Sequence, residues 1–289
     1  MKIKKVLIVY KKSSYQFYFL KPHGPPFKEL LRFTRAVRTR FKKAHDEHYK
    51  TLTLVEKILT ENKVEFKKYY RGQTIDYEPF DLVITVGGDG TFLEAAHNVS
   101  RQLILGVNSD PKRSIGRLCT ATRENFERVF TRVLKGQCKI SGLNRLHLKL
   151  GKDFKGINVL NDLLVCHQNP AAMSRYALSF NGATEDQRGS GLWISTAVGS
   201  SGAMRSAGGK VLPRLSRHIQ YKPRELFQGR GVRYRLRGGV VTLKNKLTIR
   251  SLMRTSMIYI DGAHCSFPFS FGDVATITNS KMPLRVISR

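Results

Sequence analysis

The sequence predicts an α/β domain built on a parallel sheet, followed by a β-rich domain. Three observations carry this expectation. Two short apolar runs, "DLVITV" (81–86) and "LILGVN" (103–108), flank a helical stretch that begins near Thr91. Buried strand, helix, buried strand is the pattern of a parallel crossover unit. Later in the chain the texture changes to short strands with turn residues between them, and 289 residues suffice for two domains, each with its own core.

Taken in order, "VLIVY" (6–10) reads as the first buried strand. Its basic start and about five apolar residues fall short of a signal peptide, whose apolar region needs about 7–15. Leu30, Thr34, Val37 and Phe41 share one helical face, and Leu52, Val55, Ile58 and Leu59 share another. A helical segment is therefore expected from about 28 to about 60, with "HGPP" (23–26) breaking the chain ahead of it. "ENKVEFKKYY" (61–70) reads as an edge strand. A second helix is expected from about Arg123 to Lys135, with Phe126, Val129, Phe130, Val133 and Leu134 as its core stripe. Thr122 would cap its start and Gly136 its end. The segments "HLKLGKDFKGINVLNDLLVC", "YALSFNGA", "LWIST", "GVVTLKNKLTIRSL", "MIYIDGAHCSF" and "VATITNS" then read as strands. The expected division is an α/β domain over 1–120, completed by the C-terminal segment 269–289, and a β-rich domain over 121–268.

Composition narrows the class. Hydrophobic residues at 41% argue for a globular chain, and no apolar run approaches the roughly 18 residues of a membrane span. Cys119, Cys138, Cys166 and Cys265 are dispersed and form no CxxC pair, so reduced thiols, a cytoplasmic location and no metal site are expected. His45 and His48 stand three apart in "HDEHY" without an evident third ligand, which reads as an exposed charged helix rather than a metal site. Lys plus Arg total 51 against 21 Asp plus Glu, a net charge of +30. That balance attracts polyanions, but the basic runs lack aromatic interleaving and sit in no DNA-binding motif, so nucleic acid is expected only through non-specific charge. Trp193 reads as core.

"VGGDGT" (86–91) holds the chemistry. Glycines at 87, 88 and 90 suit a strand-to-helix turn, where they would supply backbone angles closed to other residues. They also let backbone N–H groups close on a phosphate at the start of the next helix. Asp89 projects a carboxylate from that turn. Ligands of parallel sheets bind beyond the carboxyl ends of the strands, where this turn lies. "VLNDLLV" places polar Asn161 and Asp162 in an otherwise apolar strand, and such groups are costly without partners. "SGLWISTAVGSSGAMRSAGG" (190–209) gathers small and hydroxyl residues that can approach a ligand closely. "GVNSDPKRSIGRLC" (106–119) leaves a strand on the ligand side, and Lys11 and Lys12 after the first strand are within reach of phosphates or of solvent.

In this order, "GGDGTFL" (87–93), "GVNSDP" with "RS" and "GRLC", "LND" (160–162) and "STA" with "GSSGAMRSAGG" resemble the NAD kinase family, nearest its plant-type NADH kinase and mitochondrial branch. "LSRHIQY" (215–221) and "IDG" (260–262) extend the resemblance through nearly the whole chain. It implies a Rossmann-like first domain of the NAD kinase and diacylglycerol kinase type. It also implies transfer of the terminal phosphoryl group of ATP, or polyphosphate, to the 2′-hydroxyl of the adenosine ribose of NAD or NADH. Asp89 would be the catalytic base. Gly87, Gly88, Gly90 and Thr91 would cradle phosphates with Mg²⁺ or another divalent cation bridging them. Asn161, Asp162, Arg188, Thr196, Ser200, Ser201 and Ser206 would hold the dinucleotide, and a homodimer or homotetramer is implied. Ser201-Gly202-Ala203, Ser190 and Ala263 depart from the widespread bacterial pattern and read as subfamily features. The alternatives are a lipid kinase sharing the turn and a polyanion-binding protein on a kinase-like scaffold. The Asn-Asp pair speaks against the first, and retention of Asp89, Asn161 and Asp162 against the second.

Overall fold

The apolar runs at 6–10, 81–86 and 103–108 become neighbouring strands of one sheet in the computed structural model, which describes residues 3–20, 35–151, 156–229, 231–242, 246–263 and 265–288. The expected break at "HGPP" and the first turns of the expected helix, with Leu30 and Thr34, lie outside the described residues. In chain order the first elements are β1 (Lys5–Tyr10), α1 (Arg35–Glu61), β2 (Glu65–Tyr70), β3 (Leu82–Gly87), α2 (Asp89–Asn98), β4 (Leu103–Asn108), β5 (Ala121–Thr122), α3 (Phe126–Leu134) and β6 (Lys139–Leu143). There follow β7 (Leu146–Leu150), β8 (Ile157–Val159), β9 (Asp162–His167), β10 (Ser174–Phe180), β11 (Ala183–Gly189), β12 (Gly191–Ser195), a helical turn α4 (Ala203–Ser206), and β13 (Ile219–Arg224). Last come β14 (Gly239–Val241), β15 (Leu247–Ser251), β16 (Ser256–Ile260), β17 (Cys265–Pro268), β18 (Val274–Asn279) and β19 (Leu284–Ser288).

The chain forms two units, 1–141 with 285–289, and 142–284. In the first, the strand order is β2-β1-β3-β4-β19-β6, with β5 beside β4. The pairs from β2 through β19 along this path run parallel. Every residue of β3 and β4 is buried, as expected of strands covered on both faces, while β2 is the edge strand that its mixed pattern predicted. α1 buries His48, Thr51, Leu52, Val55, Ile58 and Leu59, a stripe at helical spacing that packs on the sheet. α3 starts later than expected. Asn125, not Thr122, precedes its first turn, because the Asn125 side chain turns back to accept from the Thr122 N–H at 2.8 Å. Gly136 follows its end at φ +69°, the left-handed geometry that suits glycine.

The second unit is two six-stranded antiparallel sheets, ordered β11-β10-β15-β18-β7-β8 and β14-β13-β12-β9-β16-β17. Alternating residues of both, among them Leu148, Tyr176, Leu178, Ile249 and Ile277 from the first and Leu163, Val165, Ile194, Ile219 and Ile258 from the second, form one core. The sheets therefore pack face to face. Trp193 is half-buried, not core, because it alternates with the inward Leu192 and Ile194. Strands β5, β6, β11, β13 and β19 were not expected. β11, "ATEDQRG", is too polar to register as a strand, and it is held by a seven-residue register with β10. Helix α3 and the turn into β6 lie in the first unit, so the chain passes to the second unit after Ser141 where the sequence placed the boundary at 120. The return comes at Arg285 where the sequence placed it at 269.

Candidate active site

Because β1, β2, β3 and β4 run parallel, the residues that follow their last positions gather at one end of the sheet. These are Lys11, Arg71, Gly88-Asp89 and Ser109-Asp110. Asp89 opens α2 directly after β3, and its carboxylate accepts from two backbone N–H groups, Leu118 at 2.8 Å and Arg117 at 3.0 Å. The loop after β4 thus folds over the glycine turn and fixes the carboxylate without consuming all its lone pairs. Asn108 ties that loop down, donating to the Ser114 carbonyl at 2.9 Å and accepting from the Asp110 N–H at 3.1 Å.

Gly87 and Gly88 are explained by space. None of Gly87, Gly88 and Gly90 has positive φ, so the expected need for unusual backbone angles is not what selects them. A Cβ on Gly87 would overlap the Thr91 hydroxyl, and one on Gly88 would approach Ser114 Oγ to 2.7 Å. Thr91 is itself buried beneath the turn, and its hydroxyl finds no hydrogen-bond partner among the described residues. The N–H groups of Asp89 and Gly90 lie in the first turn of α2, where no carbonyl a turn earlier can take them.

Charge at this end is mostly positive. Burial pushes the Lys11 ammonium below its usual range, Asp110 opposes that shift, and Arg71 adds to it. Lys12 lies 3.5 Å from the centre of the Tyr70 ring. Arg71 is 3.8 Å from Glu94, and Arg113 sits at 2.9 Å from Asp110. His48 is not part of an exposed helix. It is fully buried, bonded through Nδ1 to Ser109 Oγ at 2.9 Å, and burial with the nearby Lys11 charge lowers its pKa to about 4.

In the second unit, Asn161 and Asp162 stand at the start of β9 rather than within a strand, because Asp261 interrupts the ladder there. The Asp261 carboxylate accepts from the N–H groups of Leu160 at 3.0 Å, Asn161 at 2.6 Å and Asp162 at 3.0 Å. Asp261 holds φ +51° in the turn after β16. Asp162 is buried, and burial first, the Asp261 charge second, raise its pKa to about 7. Ser195 is its cross-strand neighbour on β12. The Thr196 hydroxyl donates to the Leu160 carbonyl at 2.5 Å and accepts from the Val198 N–H at 3.1 Å. A Cβ on Gly199 would run into the Asn161 carbonyl. The two polar segments are therefore one packed cluster.

The cluster does not treat all its predicted members alike. The Ser200 hydroxyl is buried, donating to Ala197 O at 2.7 Å and accepting from the Leu212 N–H at 2.8 Å. Thr196 and Ser200 thus shape the segment with hydroxyls already engaged. Ser201 is half-buried and Ser206 exposed. Arg188 stands apart: it is exposed on β11, at the opposite end of β12 from Ser195. Sequence reasoning missed Asp261 as the clamp and Arg71 as a member of the group at the carboxyl end of the parallel strands. Arg71 was findable, since it directly follows a strand expected to be parallel.

A parallel α/β unit with a glycine-aspartate turn at the carboxyl end of its strands is joined in sequence to an antiparallel sandwich that carries the Asn161–Asp162 cluster, an arrangement shared with nucleotide-directed phosphotransferases. A family model described as the ATP-NAD kinase N-terminal domain matches residues 18–138. The chain is 33% identical over 263 residues to the probable NADH kinase of Oryza sativa subsp. japonica, covering 83% of this chain and 81% of that protein. The NADH kinase of Arabidopsis thaliana is likewise 33% identical over 263 residues, with 83% of each covered. The fold matches the crystal structure of an NAD kinase from Archaeoglobus fulgidus in complex with ATP, with TM-score 0.71, 22% identity and coverage of 98% of this chain and 93% of that one. The chain belongs to the NAD kinase family.

Proposed function

We infer that this chain transfers the terminal phosphoryl group of ATP to the 2′-hydroxyl of the adenosine ribose of NAD or NADH, giving NADP or NADPH and ADP. The observation that carries this reading is Asp89, a carboxylate fixed by two backbone N–H bonds at the head of a helix and at the ligand end of a parallel sheet. Asp89 accepts the hydroxyl proton as the P–O bond forms, and ADP leaves with the electrons of the broken bond. A positioned base contributes about 10²–10⁴-fold. The turn of Gly87, Gly88, Gly90 and Thr91 brings the first N–H groups of α2 to the phosphates, and Lys11 and Arg71 balance their charge. Asn161 and Asp162, pinned by Asp261, hold the dinucleotide, with Ser201 and Ser206 as further hydroxyls of that segment.

A divalent cation fits in one way only. Among the described residues no group of three or more His, Cys, Asp or Glu side chains could hold a metal. The cation would therefore arrive on the phosphates of ATP, with Asp89 the adjacent carboxylate, as is usual for Mg²⁺. There it would neutralise developing phosphate charge. We further propose a cytoplasmic homodimer or homotetramer. The four cysteines are free thiols, which suits a reducing compartment, and no described helix is long and apolar enough to cross a membrane.

The test is incubation of purified protein with ATP and Mg²⁺ and either NAD or NADH, with NADP(H) resolved by chromatography. Product with one or both acceptors is expected. Absence of product from a folded protein, also when polyphosphate replaces ATP, would overturn the reading.

A further inference from the structure

The first unit carries a second cationic cavity, of about 440 Å³, built from α3, the start of β6 and the end of β19. Its size falls in the usual range for small-ligand pockets, about 300–1,000 Å³. Arg128, Val129 and Arg132 of α3, with Asn125 just before it, follow one another at helical spacing, so the face of α3 beside the buried Phe126, Phe130 and Val133 lines it. Lys139 closes it from β6, and Val129 with Ile287 gives it an apolar wall. No carboxylate is among its described lining residues. Arg128, Arg132 and Lys139 form no ion pair with any described residue. The Asn125 side-chain oxygen is engaged by the Thr122 N–H, which leaves its NH₂ group as donor.

Two like charges one helical turn apart repel, and a cavity that gathers them with no carboxylate among its described lining residues favours an anion. Guanidinium groups are suited to phosphate, which they can grip through two parallel hydrogen bonds. We propose that this cavity binds a small phosphate-bearing metabolite, up to a mononucleotide in size, at a site separate from the glycine-aspartate turn. The inference does not rest on the kinase reading.

Cys138, half-buried in the cavity, reports on it without reference to activity. Full-length protein is alkylated with iodoacetate or iodoacetamide, and each cysteine is followed by mass spectrometry. Cys166 and Cys265, half-buried in the other unit, serve as references. The cationic cavity should favour the anionic reagent at Cys138 by about tenfold over the reference cysteines, the low end of electrostatic focusing. Millimolar inorganic pyrophosphate should slow that reaction severalfold, and Arg128→Ala with Arg132→Ala, both exposed positions, should abolish preference and protection together. A Cys138 that neither reagent reaches, a reagent ratio equal to that of the references, or pyrophosphate protection that survives the double substitution would overturn the proposal.

Discussion

Asp162 is a carboxyl group that its surroundings keep protonated well into the neutral range, at about 7. Hydroxyl groups of a bound ribose would donate to its ionised form and so favour loss of that proton. Binding of the dinucleotide should therefore release a proton below neutrality. The predicted outcome is an affinity for NAD that strengthens by up to about tenfold per pH unit as pH rises toward 7, then levels. Calorimetric titration in buffers of different ionisation enthalpy measures both quantities. Asp162→Asn should bind more weakly with a flat pH profile, and a sloping profile in that variant would assign the proton elsewhere. Asp89 differs in kind, since its carboxylate is held by backbone donors in a half-buried site.

At the scale of elements, the Asn161–Asp162 cluster depends on the turn after β16 more than on the strand that bears it. Asp261 satisfies three backbone N–H groups around the start of β9. Asp261→Ala leaves those donors buried, each costing about 1–3 kcal/mol. A loss of several kcal/mol is expected in urea unfolding followed by a probe in the second unit. Gly199→Ala forces a methyl group against the Asn161 carbonyl, backbone that has no rotamer to yield. It should cost about 1–3 kcal/mol and weaken NAD binding together with stability. The sequence made β3, α2 and β4 legible because periodicity and burial agree there, and it showed Asp89, Asn161 and Asp162 as polar residues in apolar company. It could not show that Asp261, about a hundred residues from Asp162, is their clamp, since nothing local to "IDG" records a long-range backbone contact. Nor could it distinguish Thr196 and Ser200, whose hydroxyls are spent internally, from ligand-facing residues, because composition does not encode side-chain direction.

Across the whole molecule, two buried groups act on stability with opposite sign. His48 has its pKa lowered from 6.5 to about 4, so the unfolded chain binds the proton first and stability is lost as pH falls through that window. Asp162 has its pKa raised from 3.8 to about 7, so the folded chain binds the proton first and stability is lost as pH rises through that window. The first group belongs to one unit and the second to the other. Asp162→Asn removes the second contribution, so its stability relative to the wild type should climb as pH rises from 4 to 7, and thermal unfolding of both proteins over that range checks it. A net charge of +30 repels itself in the compact state, so raising salt from 0.05 to about 0.5 M should raise Tm by shortening the screening length. An unchanged Tm would mean that the basic residues are already too far apart to interact.

The central claim is that Asp89 accepts the ribose hydroxyl proton. The most direct measurement compares kcat of Asp89→Asn with that of the wild type in ATP-dependent formation of NADP(H), with NAD affinity measured alongside. A fall of about 10²–10⁴-fold in kcat is expected with NAD affinity much less affected, because asparagine keeps the shape of the side chain and one oxygen to accept from the Leu118 or the Arg117 N–H. A variant that turns over within a few fold of the wild type would contradict it.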